Sequence, residues 1–150
     1  MGLSAGKISN DWDLLDDKKS LEEIVVEALR TVDIPSSRRS TRKDKRPFVT
    51  TYQLASIISE LFPHVVQGSK LKLGGRGVGD LQTFASQLAG ELSNRIEVNG
   101  DKYPIEIDYF GTDCITDMEF SVNRDVNDGK PTIKSSVTGA GREVALFRLK

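Results

Sequence analysis

Apolar residues recur at helical spacing from Leu21 to Leu92 and alternate with polar ones over most of the chain beyond. Leu21, Ile24, Val25, Ala28, Leu29 and Val32 form one stripe at spacings of three and one, which predicts an amphipathic helix. Ser20 and Glu23 stand before it as an S-x-x-E capping box, and Pro35 with Ser36-Ser37 stops it. A second helix is predicted from a cap at Thr50 or Thr51, with Leu54, Ala55, Ile57, Ile58 and Leu61 inward and Pro63 ending it. Residues 63–79 read as irregular, with a short strand at Lys70–Leu73. Asp80 is the expected cap of a third helix whose stripe is Leu81, Phe84, Ala85, Leu88, Ala89 and Leu92.

The period then changes to two. Ile96 and Val98, the turn pair Asn99-Gly100, and Tyr103, Ile105, Ile107 and Tyr109 read as a hairpin, because Asn-Gly suits a type I′ turn. Met118, Phe120 and Val122 predict a further strand, Asn127-Asp128-Gly129 a turn, Ile133, Ser135 and Val137 another strand, and Val144–Leu149 the last. Helices followed by strands define the α+β class, with three helices packed on one face of an antiparallel sheet of about five strands. Leu54, Ile58, Phe84, Leu88, Ile105, Ile107, Met118 and Phe120 are the expected core.

Composition adds bounds. A chain of 150 residues fits one domain, and 37% apolar with 29% charged residues is ordinary for a globular protein. We expect an acidic, flexible arm at residues 1–19 and a single domain over 20–150. The net charge of −1 excludes nucleic-acid binding by bulk charge and leaves room for a local basic patch. Cys114 is the only cysteine, so no intrachain disulfide forms. No apolar run reaches the roughly 20 residues needed to span a bilayer. The first residues lack a signal-peptide apolar region, and Gly6 stands where myristoylation wants Ser or Thr. The expectation is a soluble cytoplasmic protein with no membrane contact.

The first candidate site is the basic run Arg38, Arg39, Arg42, Lys43, Lys45 and Arg46, with Ser40 and Thr41 between them. Cations at this density neutralise phosphates, and the hydroxyls add hydrogen bonds to phosphate oxygens. The plain alternative is a solvated loop that faces the acidic arm. Asp11, Asp13, Asp16, Asp17, Glu22 and Glu23 with Lys18 and Lys19 give −4 there, against +5 over residues 38–46. On this charge match, Asp11 or Asp13 should lie near a cation of the loop, with Trp12 packed on the domain or serving a partner as a peptide motif.

The second candidate is the glycine run Gly74-Gly75-Arg76-Gly77-Val78-Gly79, which leads into the third helix. Gly75, Arg76, Gly77 and Gly79 would bring backbone N–H groups and one charge to an anion at a helix start. There is no G-K-[ST], no preceding βαβ strand, and Asp80 would repel an anion, so a plain connector is the competing reading. Thr50 to Ala55 resembles the first helix of a helix-turn-helix, but the next helix signal is at Asp80, too far for the 3–4-residue turn of that motif.

No motif specifies a reaction. His64 is the only histidine, and with one cysteine it cannot build a typical zinc site. Glu106, Asp108, Asp117 and Glu119 lie on strand faces that are also the solvent faces, and Asp113 stands between them. No catalytic residue, metal or cofactor is therefore expected. The sequence reading is a non-enzymatic binding protein that contacts nucleic acid or another polyanion through the basic loop. The alternatives are a protein-interaction or homo-oligomerisation module, and a small-molecule anion binder or enzyme that uses the glycine loop.

Overall fold

Each of the three long helices begins on a hydroxyl side chain. The Ser20 hydroxyl accepts from Glu23 N at 3.2 Å while Glu23 Oε1 accepts from Ser20 N at 2.9 Å, so helix α1 (Leu21–Arg30) starts where the S-x-x-E spacing places it. Thr50 and Gln53 make the same box for α2 (Thr51–Leu61). Thr83 and Ser86 make it for α4 (Phe84–Asn99). Such a box satisfies backbone donors that the first turn leaves open.

The structure is a computed structural model and describes residues 12–32, 46–76, 83–136 and 143–150. Asp80, Leu81 and Val137 lie outside them, so the expected Asp80 cap does too; the cap of α4 is Thr83. A fourth helix, α3 (Pro63–Ser69), follows α2 after the single residue Phe62. Pro63, read from the sequence as a stop, opens this helix instead, since the first helical position needs no N–H. The helix after α2 thus starts far before Asp80. It is 7 residues long, turns its buried Val65 and Val66 into the core, and lacks the longer turn of a helix-turn-helix.

The expected hairpin around Asn99-Gly100 does not form. Ile96 and Val98 continue α4, and Gly100, at φ 58°, ends it. Asn-Gly is as suitable for a helix stop as for a tight turn, because both need positive φ. Val98 is left 74% exposed, as befits the outer side of a helix rather than a core strand. The Lys70–Leu73 strand is also absent. The carbonyls of Lys72 and Leu73 accept from Phe84 N and Ala85 N at 2.8 and 3.0 Å, so they serve the start of α4.

The α+β class and the antiparallel strands stand as expected, with five strands among the described residues. They divide into two sheets. Strand β5 (Val144–Leu149) is central between β1 (Val49–Thr50) and β2 (Ile105–Phe110), with Ile107 opposite Phe147 and Glu106 opposite Arg148. Strands β3 (Glu119–Ser121) and β4 (Thr132–Lys134) form a separate pair, with Phe120 opposite Ile133. Helices α1 and α2 pack on β5 and α4 on β2.

Leu54, Ile58, Phe84, Leu88 and Ile105 are fully buried, while Ile107, Met118 and Phe120 are half-buried at the core margin. Trp12, in a short 3₁₀ turn before α1, is 1% exposed and its ring lies 5.7 Å from that of Phe84. No helix among the described residues is long and apolar enough to cross a membrane.

Candidate functional site

Positive φ at Gly74 and Gly75 lets the chain after α3 lie against the β3–β4 pair. Gly75 has φ +104°, and a Cβ there would sit 3.0 Å from both Ile133 Cβ and Lys134 O. That close approach admits only glycine. Arg76 N then donates to Lys134 O at 2.7 Å and fixes the segment to β4. Between this segment and the β3–β4 pair lies a cleft of about 380 Å³.

The cleft floor is apolar, made by Leu71, Leu73, Val126 and Ile133. Its rim carries Lys70, Lys72 and Arg76 on one side and Lys130 and Lys134 on the other, against Glu119 and Asp128. Lys70 takes its place because it ends α3 in the left-handed conformation, at φ 61°. The turn that carries Lys130 is held by Asn127 Nδ2, which donates to Lys130 O at 2.9 Å and Thr132 O at 3.3 Å. Asp117 bridges two of these cations: its carboxylate meets Arg76 Nη2 at 3.1 Å and Lys134 Nζ at 3.4 Å. Glu119 accepts from Thr132 Oγ1 at 2.9 Å. Lys70, Lys72 and Lys130 have no ion-pair partner among the described residues. Among the described residues, the lining holds no His, Cys, Ser or aromatic residue.

Of the residues singled out in the sequence, the structure brings Arg76 and the Gly74-Gly75 pair to this cleft. Gly77 and Gly79 lie outside the described residues. The start of α4 holds no open donor. Phe84 N and Ala85 N bond to the 72–73 carbonyls, Ser86 N to Thr83 Oγ1 and Gln87 N to Thr83 O.

Arg38, Arg39, Arg42, Lys43 and Lys45 also lie outside the described residues. Arg46 is described, and its Nη1 donates to Arg30 O at 3.2 Å and Val32 O at 2.7 Å. A cation there satisfies carbonyls left open at the end of α1. Val32 and Arg46, which flank residues 33–45, thus sit side by side.

Among the described residues, the arm's charges have these partners. Asp13 pairs with Arg95 of α4 at 3.2 Å and accepts from Leu21 N at 2.9 Å; Asp11 lies outside the described residues. Burial pushes the Asp13 carboxyl up, but the bonds from Leu21 and Arg95 outweigh it and hold it below its ordinary value. His64 lies in the first turn of α3 rather than at the end of α2, and its Nε2 meets Asp16 Oδ2 at 2.6 Å. That bond, with the Lys18 N–H, holds the Asp16 carboxyl low. Cys114 is exposed. No three of His, Cys, Asp and Glu converge as a metal set among the described residues.

Sequence reasoning missed Lys70, Lys72, Lys130 and Lys134. The turn signal Asn127-Asp128-Gly129 beside Lys130 was the one local cue to this rim. No protein-family model, no curated protein and no solved structure matches the chain.

Proposed function

We propose that this is a non-enzymatic binding protein for phosphate-bearing polyanions and that the cleft between residues 70–76 and the β3–β4 pair is its contact surface. The observation that carries this reading is the set Lys70, Lys72 and Lys130, which face one opening from two sides without a counter-ion among the described residues. Five cations against Glu119 and Asp128 leave the opening with an excess of positive charge, and such an excess concentrates anions. A lining without aromatic rings offers no base stacking, so phosphate rather than base is the recognised group. The basic run at 38–46 is a second cationic element for a long ligand. Nucleic acid and a small polyphosphate share this chemistry.

The test compares labelled duplex DNA with inorganic tripolyphosphate at low salt. With three to five cations engaged, log K for duplex should fall with log salt at a slope of about −3 to −4.5. Lys72→Glu with Lys130→Glu should weaken both probes. Arg39→Glu with Arg42→Glu should weaken the duplex and leave tripolyphosphate unchanged. Absence of binding to either probe at low salt overturns the reading. Binding that ignores Lys72 and Lys130 and follows Arg39 and Arg42 moves the site to the loop.

A self-association module is the second reading, and β2 favours it because its outer edge carries no strand among the described residues. An open edge is a template for another chain. Antiparallel pairing of two copies centred on Ile107 would set Glu106 against Asp108, which repels. Concentration-independent size in solution excludes it.

A further inference from the structure

We infer that Asp117 is a built-in counter-ion of the cleft, which an incoming anion displaces from Arg76 and Lys134. The inference rests on the polyanion reading given above.

Five cations line the cleft, and two of them, Arg76 and Lys134, share one carboxylate. Those two come from opposite walls: Arg76 ends the glycine segment, and Lys134 ends β4. A single Asp117 side chain therefore bridges both sides. Its Oδ1 also accepts from Met118 N at 3.0 Å, which aims the carboxylate.

The other contacts between Arg76 and β4 do not need the carboxylate. Arg76 N donates to Lys134 O at 2.7 Å, and Gly75 packs on Ile133. The segment thus stays docked by its backbone when Asp117 lets go. The ion pairs are also exposed enough to exchange. The side chains of Arg76, Lys134 and Asp117 are 44%, 50% and 34% exposed. Ion pairs at such exposure are weak, so a phosphate with more charge than a carboxylate can replace this one.

Glu119 is the contrast. It lies on the same cleft, but its partner is the neutral Thr132 hydroxyl. Removing its charge changes the local field without freeing a cation. Asp117→Asn keeps the shape and the Met118 bond while it takes the carboxylate charge away from Arg76 and Lys134. In wild type, Asp117 competes with the ligand for them, and the cleft therefore selects multiply charged anions over single carboxylates.

The experiment measures tripolyphosphate and acetate binding by calorimetry to the full chain, its Asp117→Asn and Glu119→Gln variants, and Lys72→Glu/Lys130→Glu. Asp117→Asn should bind tripolyphosphate about three- to tenfold more tightly at low salt, an effect of one removed charge at close range. Glu119→Gln should gain clearly less, and Asp117→Glu should restore wild-type affinity. Acetate should bind Asp117→Asn more tightly than wild type. Equal gains from Asp117→Asn and Glu119→Gln reduce Asp117 to bulk charge and overturn the inference. Weaker binding by a folded Asp117→Asn makes Asp117 a scaffold and overturns it as well. Binding that is lost in Lys72→Glu/Lys130→Glu but indifferent to Asp117 leaves the polyanion reading intact and sinks only this one. If no form binds, both fail.

Discussion

The two sheets of this fold are held by different forces. The three-stranded sheet buries its inner face: Ile105 and Phe147 are fully enclosed by the helices, and Val49 is nearly so. Its outer face is closed by charge, with Arg148 on Glu106 at 3.2 Å and over the Phe48 ring at 4.2 Å. The β3–β4 pair has three residues per strand and turns only Phe120 and Ile133 inward. A two-stranded pair of that size is marginal by itself. It stays in place through hydrogen bonds with α2, from side chains on both partners. The Tyr52 hydroxyl shares a hydrogen bond with Ser136 Oγ at 2.8 Å and accepts from Ser136 N at 3.0 Å. Ser56 donates to Ser121 O. Asn123 Nδ2 donates to Ser59 O at 2.9 Å. The Tyr52 ring stacks on Phe120 at 5.3 Å.

Apolar burial is non-directional and gives a fixed base, whereas hydrogen bonds at half-exposed positions open at lower free energy. The cationic cleft lies on the second kind of structure. The proposed binding surface would thus be carried by an adjustable element on a rigid base.

The largest effect should come from the base. Phe147→Ala should destabilise the whole domain by about 3–5 kcal/mol, and Leu88→Ala by about 2–5 kcal/mol. Trp12 is the only tryptophan and is buried in the same core, so its emission reports this unfolding. A free-tryptophan emission spectrum in the native protein would break the account of the core at once.

The middle effect should be local. Tyr52→Phe keeps the stack on Phe120 but removes the hydroxyl that bonds Ser136, which is exposed and can turn to water, and should destabilise by about 0.5–1.5 kcal/mol, the usual net worth of a hydrogen bond. Amide exchange should quicken at residues 119–121 and 132–134 and stay slow at 144–149. Gly75→Ala should loosen the cleft from the other side, because its Cβ meets Lys134 O at 3.0 Å and φ +104° disfavours a side chain. Uniform acceleration across both sheets in either variant would erase the distinction between them.

The same contrast governs what was legible in the sequence. Ser20 with Glu23 and the stripes through Leu54, Ile58 and Leu88 are local signals, and the structure follows them. The end of α4 was not legible, because Ile96 continues the Leu88–Leu92 stripe while Asn99-Gly100 fits a helix stop and a hairpin turn equally. The cleft was legible only at Gly75 and Arg76. Lys70, Lys72, Lys130 and Lys134 are far apart in the chain and meet because β4 docks on the glycine segment, which no period announces. The expected charge match of the arm with residues 38–46 lies mostly outside the described residues, and what the structure adds is a partner that no charge sum could name. A sum over residues 38–46 carries no geometry, and Arg95 was the cation that packing brought to Asp13.

The smallest effect concerns that arm, which Trp12 anchors by burial and Asp13 and Asp16 fasten by charge. Both carboxyls are held below the ordinary value of 3.8 in the folded chain, Asp13 by Leu21 N–H and Arg95 against the opposing push of burial, Asp16 by His64 and Lys18 N–H. A carboxyl with a lowered folded value binds fewer protons than in the unfolded chain at the same pH. Its contribution is therefore complete above the unfolded value and is lost as pH falls through the folded one. The loss belongs below about pH 4, given unfolded aspartates near 3.9. Solvent screens these exposed pairs, so the change in melting temperature should be small. An Asp13→Asn/Asp16→Asn double variant should melt below wild type at neutral pH, and the gap should close as the pH falls below 4. Glu23, held low by Ser20, remains in both proteins and supplies a common background. Two melting curves that stay parallel from neutral to acid would show that Trp12 holds the arm alone.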